Sequence, residues 1–217
     1  MDEHEALLDE WGRRPLHVGR CFIKDGIINV DLWQTAKPRI LFLLKEAYGA
    51  PGTTANDNWD LRERLRNDGP RWQTWVPAAR WSYAIQEIAS RGFSEFPNDD
   101  DAIARALLSS AIVNIRKSGG GSASSSTELR NCVRDDGWFL RKQIDLIDPR
   151  IVVCGSTWGH VKELWPEASK AYNLVWRTHN RLFVDFWHPS NRCPKEMAYY
   201  ALAGLFQYPQ SLSDLRQ

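Results

Sequence analysis

Four short apolar runs in this chain each end in polar residues that could do chemistry together. Ile40 to Leu44 gives way to Lys45, Glu46 and Tyr48, and Ser110-Ala-Ile-Val runs into Asn114. Ile151-Val-Val-Cys154 ends at Gly155-Ser156, and Leu182-Phe-Val-Asp-Phe-Trp187 ends at His188-Pro189-Ser190. A carboxylate, an amide, a hydroxyl and an imidazole are a set that can move protons and hydrogen-bond a polar ligand. Apolar runs this short suit parallel strands buried on both faces. Parallel neighbours would bring the four polar ends to one sheet edge, where the crevice beyond the strands' carboxyl ends binds ligands in open α/β sheets. The plainer reading of each end is a solvated strand terminus or a satisfied core polar group.

The elements needed to position those groups are legible in outline. Glu5 to Trp11 starts a helix. Cys21 to Val30 reads as two short strands turned at Asp25-Gly26, a hairpin signal. A short exposed helix or turn covers 60–66, and helices follow over 78–91 (stopped by Gly92) and 99–108, the last with acidic residues that suit its N-terminal dipole. A longer helix covers 128–147, weakened at Gly137 and stopped by Pro149. Short helical segments at 159–165 and 194–206 complete the set. Strands alternating with helices predict a single α/β domain over 1–217, a three-layer sandwich around a central, mostly parallel four-stranded sheet. Residues 1–37 decorate it, and the Gly/Ser-rich stretch 118–126 reads as a mobile loop. There is no internal repeat.

Composition narrows the function classes. The 217 residues are 43% hydrophobic and 25% charged, ordinary for a globular chain of one core. With 28 basic and 27 acidic residues, a basic coat is excluded, although a local basic patch could hold nucleic acid. The eleven Trp residues go chiefly to the core, with stacking on bases as a second use. Cys21, Cys132, Cys154 and Cys193 are scattered and form no C-x-x-C pair, so no metal, cluster, cofactor or disulfide is expected. The acidic N-terminus lacks a signal-peptide pattern, and no apolar stretch approaches the ~20 residues that span a membrane. A cytoplasmic monomer with no membrane partner is the expectation. No G-x-S-x-G elbow supports a hydrolase triad, and no phosphate-loop or dinucleotide fingerprint follows a strand. The triglycine at 119–121 is a weak phosphate signal.

Taken in order, these motifs resemble the uracil-DNA glycosylase superfamily. Leu44-Lys-Glu-Ala-Tyr-Gly49 stands where that family's G-Q-D-P-Y-H would be, and His188-Pro189-Ser190 matches its H-P-S. Ala111-Ile-Val-Asn-Ile115 resembles its base-reading strand, and Gln143 to Gly155 its helix–Pro–strand segment. The resemblance spans residues 38 to 205. The departures are Lys45 for Gln, Glu46 for Asp, Ala47 for Pro, Gly49 for His, and Arg192 where the intercalating Leu would stand. They point to an outlying branch.

The resemblance implies a monofunctional DNA glycosylase that hydrolyses the N-glycosidic bond of a flipped-out uracil or other altered base during base-excision repair. Glu46 would then position or deprotonate the attacking water, and His188 would hydrogen-bond the base oxygen as charge gathers on it. Asn114 would read the base edge, Tyr48 would wall the pocket, and Trp59 would stack on the base. Lys45, Ser156, Ser190 and Arg192 would contact phosphates of single- or double-stranded DNA. Arg116 and Lys117 are either further phosphate contacts or a solvated strand end, and Arg177 and His179 are expected at the surface. Two alternatives stay open. One is a glycosylase for a bulky modified pyrimidine, as in phage DNA. The other is a nucleic-acid-binding member of the fold without turnover.

Overall fold

A computed structural model describes residues 2–46, 59–71, 73–118 and 125–207. Tyr48, Gly49 and the triglycine lie outside these residues. Nine strands and eight helices follow in chain order. They are α1 (Glu3–Gly12), β1 (Ile23–Lys24), β2 (Gly26–Ile27), α2 (Val30–Thr35), β3 (Ile40–Glu46), β4 (Trp59–Asp60), α3 (Leu61–Asp68), α4 (Trp75–Arg91) and α5 (Asp100–Leu108). Then come β5 (Ala111–Arg116), α6 (Ser126–Ile147), β6 (Ile151–Gly155), α7 (Trp158–Val161), β7 (Ser169–Tyr172), β8 (Val175–Arg177), β9 (Leu182–Phe186) and α8 (Lys195–Phe206).

The main sheet is mixed, with seven strands in the order β2-β5-β3-β6-β9-β8-β7. It is larger than the four-stranded sheet expected from sequence. The pairings β5–β3, β3–β6 and β6–β9 are parallel, whereas β2 and the β7–β8 hairpin add antiparallel edges. The hairpin was missed because Ser169–Tyr172 lacks apolar alternation. Its pairing supplies what its pattern does not.

Strand alternation splits the core in two. Phe42, Leu44, Ile112, Val153, Val184 and Phe186 face α3, α4, α5 and α8. Leu41, Leu43, Val113, Val152, Cys154 and Phe183 face α1, α6 and α7. Ile40 to Leu44 is buried throughout, as its unbroken apolar run requires. Burying each such side chain stabilises the fold by about 1.5–3 kcal/mol, which makes β3 the axis of both cores. Asp60 and Asp99 cap α3 and α5 by accepting backbone N–H groups, and Gly92 ends α4 in the left-handed conformation. Gly137, mid-α6, lies where a Cβ would sit 2.7 Å from Leu164, so close packing explains a glycine that propensity alone counts as a weakness.

The expected hairpin at 21–30 does not form. β1 pairs in parallel with β4, β2 pairs with β5, and Val30 opens a helix capped by Asn29. The Asp25 side chain is drawn into the sheet by β5 instead of turning a surface loop. The four cysteines are free thiols, and no helix among the described residues is long and apolar enough to cross a membrane.

Candidate active site

Register brings Glu46, Asn114 and His188 to the same carboxyl end of the sheet. Leu44 pairs with Asn114 and Glu46 with Arg116, so Asn114 lies on the same sheet face as Leu44 and Glu46, one pleat deeper. Gly155 pairs with Phe186, which places the turn to His188 at the same carboxyl edge. Strands β3 and β9 flank β6, so their ends stand about 10 Å apart by ordinary strand spacing. Gly155 is required between them. A Cβ there would meet Leu44 Cδ2 at 2.7 Å and crowd Pro189 and the His188 Cα.

His188 is held at almost every polar atom. Its backbone N–H donates to Ser156 Oγ at 3.0 Å, and its carbonyl accepts from both Asn191 N and Nδ2 at 2.9 Å. The Ser190 backbone N–H donates to Nδ1 at 3.2 Å, and the Ser190 hydroxyl lies 2.7 Å from the same nitrogen. A nitrogen that accepts a backbone N–H carries no proton, so the neutral ring bears its hydrogen on Nε2. Burial, assisted by the Lys45 charge, pushes the imidazole down to about 4. At neutral pH His188 is therefore an uncharged donor, prepared to stabilise a developing anion without itself giving up a full proton.

Those shifts set an acid limit on stability. His4 and His160 are also lowered from 6.5, each chiefly by burial and then by cationic neighbours, Arg62 for His4 and Lys45 with Arg130 for His160. A histidine whose folded pKa lies below its unfolded value binds protons more readily unfolded, so stability is full above about pH 6.5 and falls as the pH drops towards 4. The His188 share amounts to up to about 3 kcal/mol. Urea denaturation at pH 7 and pH 4.5 should show a smaller acid loss in His188→Gln than in the wild type. Equal losses would remove His188 from this account.

Glu46 is the second anchor. Its side chain is only 5% exposed, and its carboxylate accepts from Arg116 Nη1 at 3.3 Å. The same guanidinium nitrogen lies 3.3 Å from Glu128 and its Nε donates to the Ser118 carbonyl. Arg116 thus clamps the carboxylate from the end of β5. Asn114 is 2% exposed, and both its backbone N–H and its Nδ2 donate to Asp25, at 2.8 and 3.1 Å. It sits beneath the edge with one amide hydrogen committed.

The remaining assignments divide. Lys117 is a correction. It is fully buried, ion-paired with fully buried Asp25 and stacked over the Trp11 ring at 4.9 Å, so it cannot reach a phosphate. Lys45 is half-buried and its charge is felt by both His188 and His160. Ser190 and Arg192 are exposed beside His188. Trp59 lies in β4, packs on the core and carries the Arg64 guanidinium 5.6 Å over its ring. It lines a groove with Lys24, Asp60 and Glu63. Arg177 is exposed, as expected of a surface residue.

Two arrangements escaped the sequence reading. Trp187, next to His188, is an exposed indole at the site edge. A Ser–His–Asp relay also exists without any elbow motif. His17 Nδ1 lies 2.7 Å from Ser118 Oγ, its Nε2 lies 3.0 Å from Asp136, and Arg14 pairs with Asp136. All three relay residues are nearly inaccessible, and the relay ties the segment after α1 to the end of β5 and to α6. No periodicity signals it, since His17 lies 101 and 119 residues before Ser118 and Asp136. Among the described residues no group of three or more His, Cys, Asp and Glu is placed to hold a metal ion.

Neither known protein-family models nor curated proteins contain a match to this chain.

Proposed function

We propose that this chain is a DNA glycosylase of the uracil-DNA glycosylase kind, cutting the N-glycosidic bond of a flipped-out uracil or other altered base. The observation that carries the reading is the placement of His188, its Nδ1 taken by the Ser190 N–H, at the same sheet edge as the Glu46 carboxylate. The parallel core β5-β3-β6-β9, with helices packed on both faces, supports the four-stranded arrangement expected of that fold.

In this reading a base enters at the His188 end and its sugar faces Glu46. Glu46 orients a water and accepts its proton, the water oxygen bonds to C1′, and the C1′–N bond breaks with its electron pair leaving on the base. The His188 Nε2–H hydrogen-bonds the base oxygen as that charge arrives, which is worth most in a site shielded from water. Arg116 holds the carboxylate's direction from below. Lys45, Ser190 and Arg192 supply phosphate contacts that fix register without reading sequence. The protein would act as a monomer in the cytoplasm, in base-excision repair.

The test is a panel of single- and double-stranded oligonucleotides carrying uracil, hypoxanthine or a bulky modified pyrimidine, scored for abasic sites by alkaline cleavage. Release is expected from at least one, and Glu46→Gln should slow it at least about tenfold. No abasic site on any substrate would overturn the catalytic reading. The Glu46–Arg116 ion pair favours one alternative, a binding protein without turnover. Salt-dependent DNA binding with no base release would establish it.

A further inference from the structure

We propose that Ser156 is the positioning residue of His188, setting the imidazole's tautomer and aim through the backbone. Ser156 is one of three non-glycine residues with positive φ among the described residues, at 56°. A side chain there costs of order 1 kcal/mol and persists only where surrounding contacts require it. The contacts are present on both sides. The Ser156 N–H donates to the Phe186 carbonyl at 2.7 Å, and its Oγ accepts the His188 N–H at 3.0 Å. The next residue, Thr157, donates its hydroxyl to the Leu43 carbonyl at 2.8 Å. Residues 155–157 therefore bolt the end of β9 to the end of β3. Gly155 adds the close approach that lets His188 and Leu44 pack over β6.

The left-handed backbone is what turns the Ser156 hydroxyl back under the chain at His188. With that N–H held by Ser156, and the carbonyl held by Asn191, the turn 188–191 has one geometry in which the Ser190 N–H meets Nδ1. Ser156 touches no reacting atom and acts only through His188.

The experiment uses the full chain, with Ser156→Ala and Ser156→Gly. Long-range proton–nitrogen NMR of the imidazoles, with the His188 signals assigned by their loss in His188→Gln, reads the tautomer directly. The wild type should show an unprotonated Nδ1 and a protonated Nε2, and both variants should shift towards a mixture. Ser156→Gly relieves the positive φ, so it supplies a folded sample if Ser156→Ala is too unstable. The kinetic arm rests on the glycosylase reading. Base release should fall about tenfold in kcat with KM changed by less than about twofold. Unchanged His188 signals in both variants overturn the proposal whatever the activity. A changed tautomer in the variants, with no base release by the wild type, sinks the glycosylase reading and leaves the positioning role standing.

Discussion

In the proposed glycosylase, His188→Ala should lower the rate of base release by about a hundredfold or more, with far less effect on substrate binding. The magnitude follows from removing one preorganised donor aimed at developing negative charge, which typically costs about 10²–10³ in kcat. Three features place His188 in that class. The Ser190 N–H, directed at Nδ1, favours the tautomer with its hydrogen on Nε2. Burial and Lys45 keep the ring neutral across the physiological range. Ser156 and Asn191 remove the backbone freedom that would otherwise have to be frozen during reaction. The expected signature is a fall in kcat and kcat/KM together, because the bond is made chiefly in the transition state. Retention of more than about a third of wild-type turnover would show that the departing base is stabilised elsewhere.

Asp25→Ala should cost about 3–5 kcal/mol of stability, enough to unfold many proteins of this size. Asp25 and Lys117 are both wholly buried, so removing the carboxylate strands an ammonium with no water to receive it. Burial already pushes the Lys117 pKa down, and Asp25 is the partner that opposes the shift. The same carboxylate accepts from Asn114 N and Nδ2 and from Gln143 Nε2 at 3.0 Å, so the Asn114 donors lose their acceptor too, while Gln143 keeps the Asp25 carbonyl and His4. Asp25→Ala combined with Lys117→Met should recover part of the loss, since a buried pair replaced by apolar groups is often neutral. Recovery stays incomplete because the Asn114 donors still lack that acceptor. Urea denaturation of the wild type and the two variants measures this, and a single-variant loss below about 1 kcal/mol would refute the account. The link to the site runs through Asn114. Its amide is aimed by Asp25, so the pair that holds the N-terminal segment to β5 also sets what Asn114 presents at the edge.

Much of this architecture is written in local pattern. The unbroken apolar runs at 40–44, 111–113, 151–154 and 182–184 dictate buried strands, because a run with no polar face has no exposed arrangement open to it. Helices α4, α5 and α6 follow from apolar spacing closed by Gly92, Asp99 and Pro149. Glu46 and His188 were legible as strand-end groups, since polarity changes abruptly after each run.

The direction in which each polar side chain points was not legible, because it depends on partners far along the chain. Lys117 and Arg116 are adjacent and alike in charge, yet one is sealed in the core and the other clamps Glu46. The difference is a carboxylate 92 residues before Lys117, brought beside it only when β2 docks on β5. The bond from the His188 N–H to the Ser156 hydroxyl likewise exists only once β9 pairs with β6. Sequence alone determined the four buried central strands and which polar groups stand at their ends. Tertiary structure alone decided which of those groups are spent on one another and which still face outward, because that depends on strand order and register.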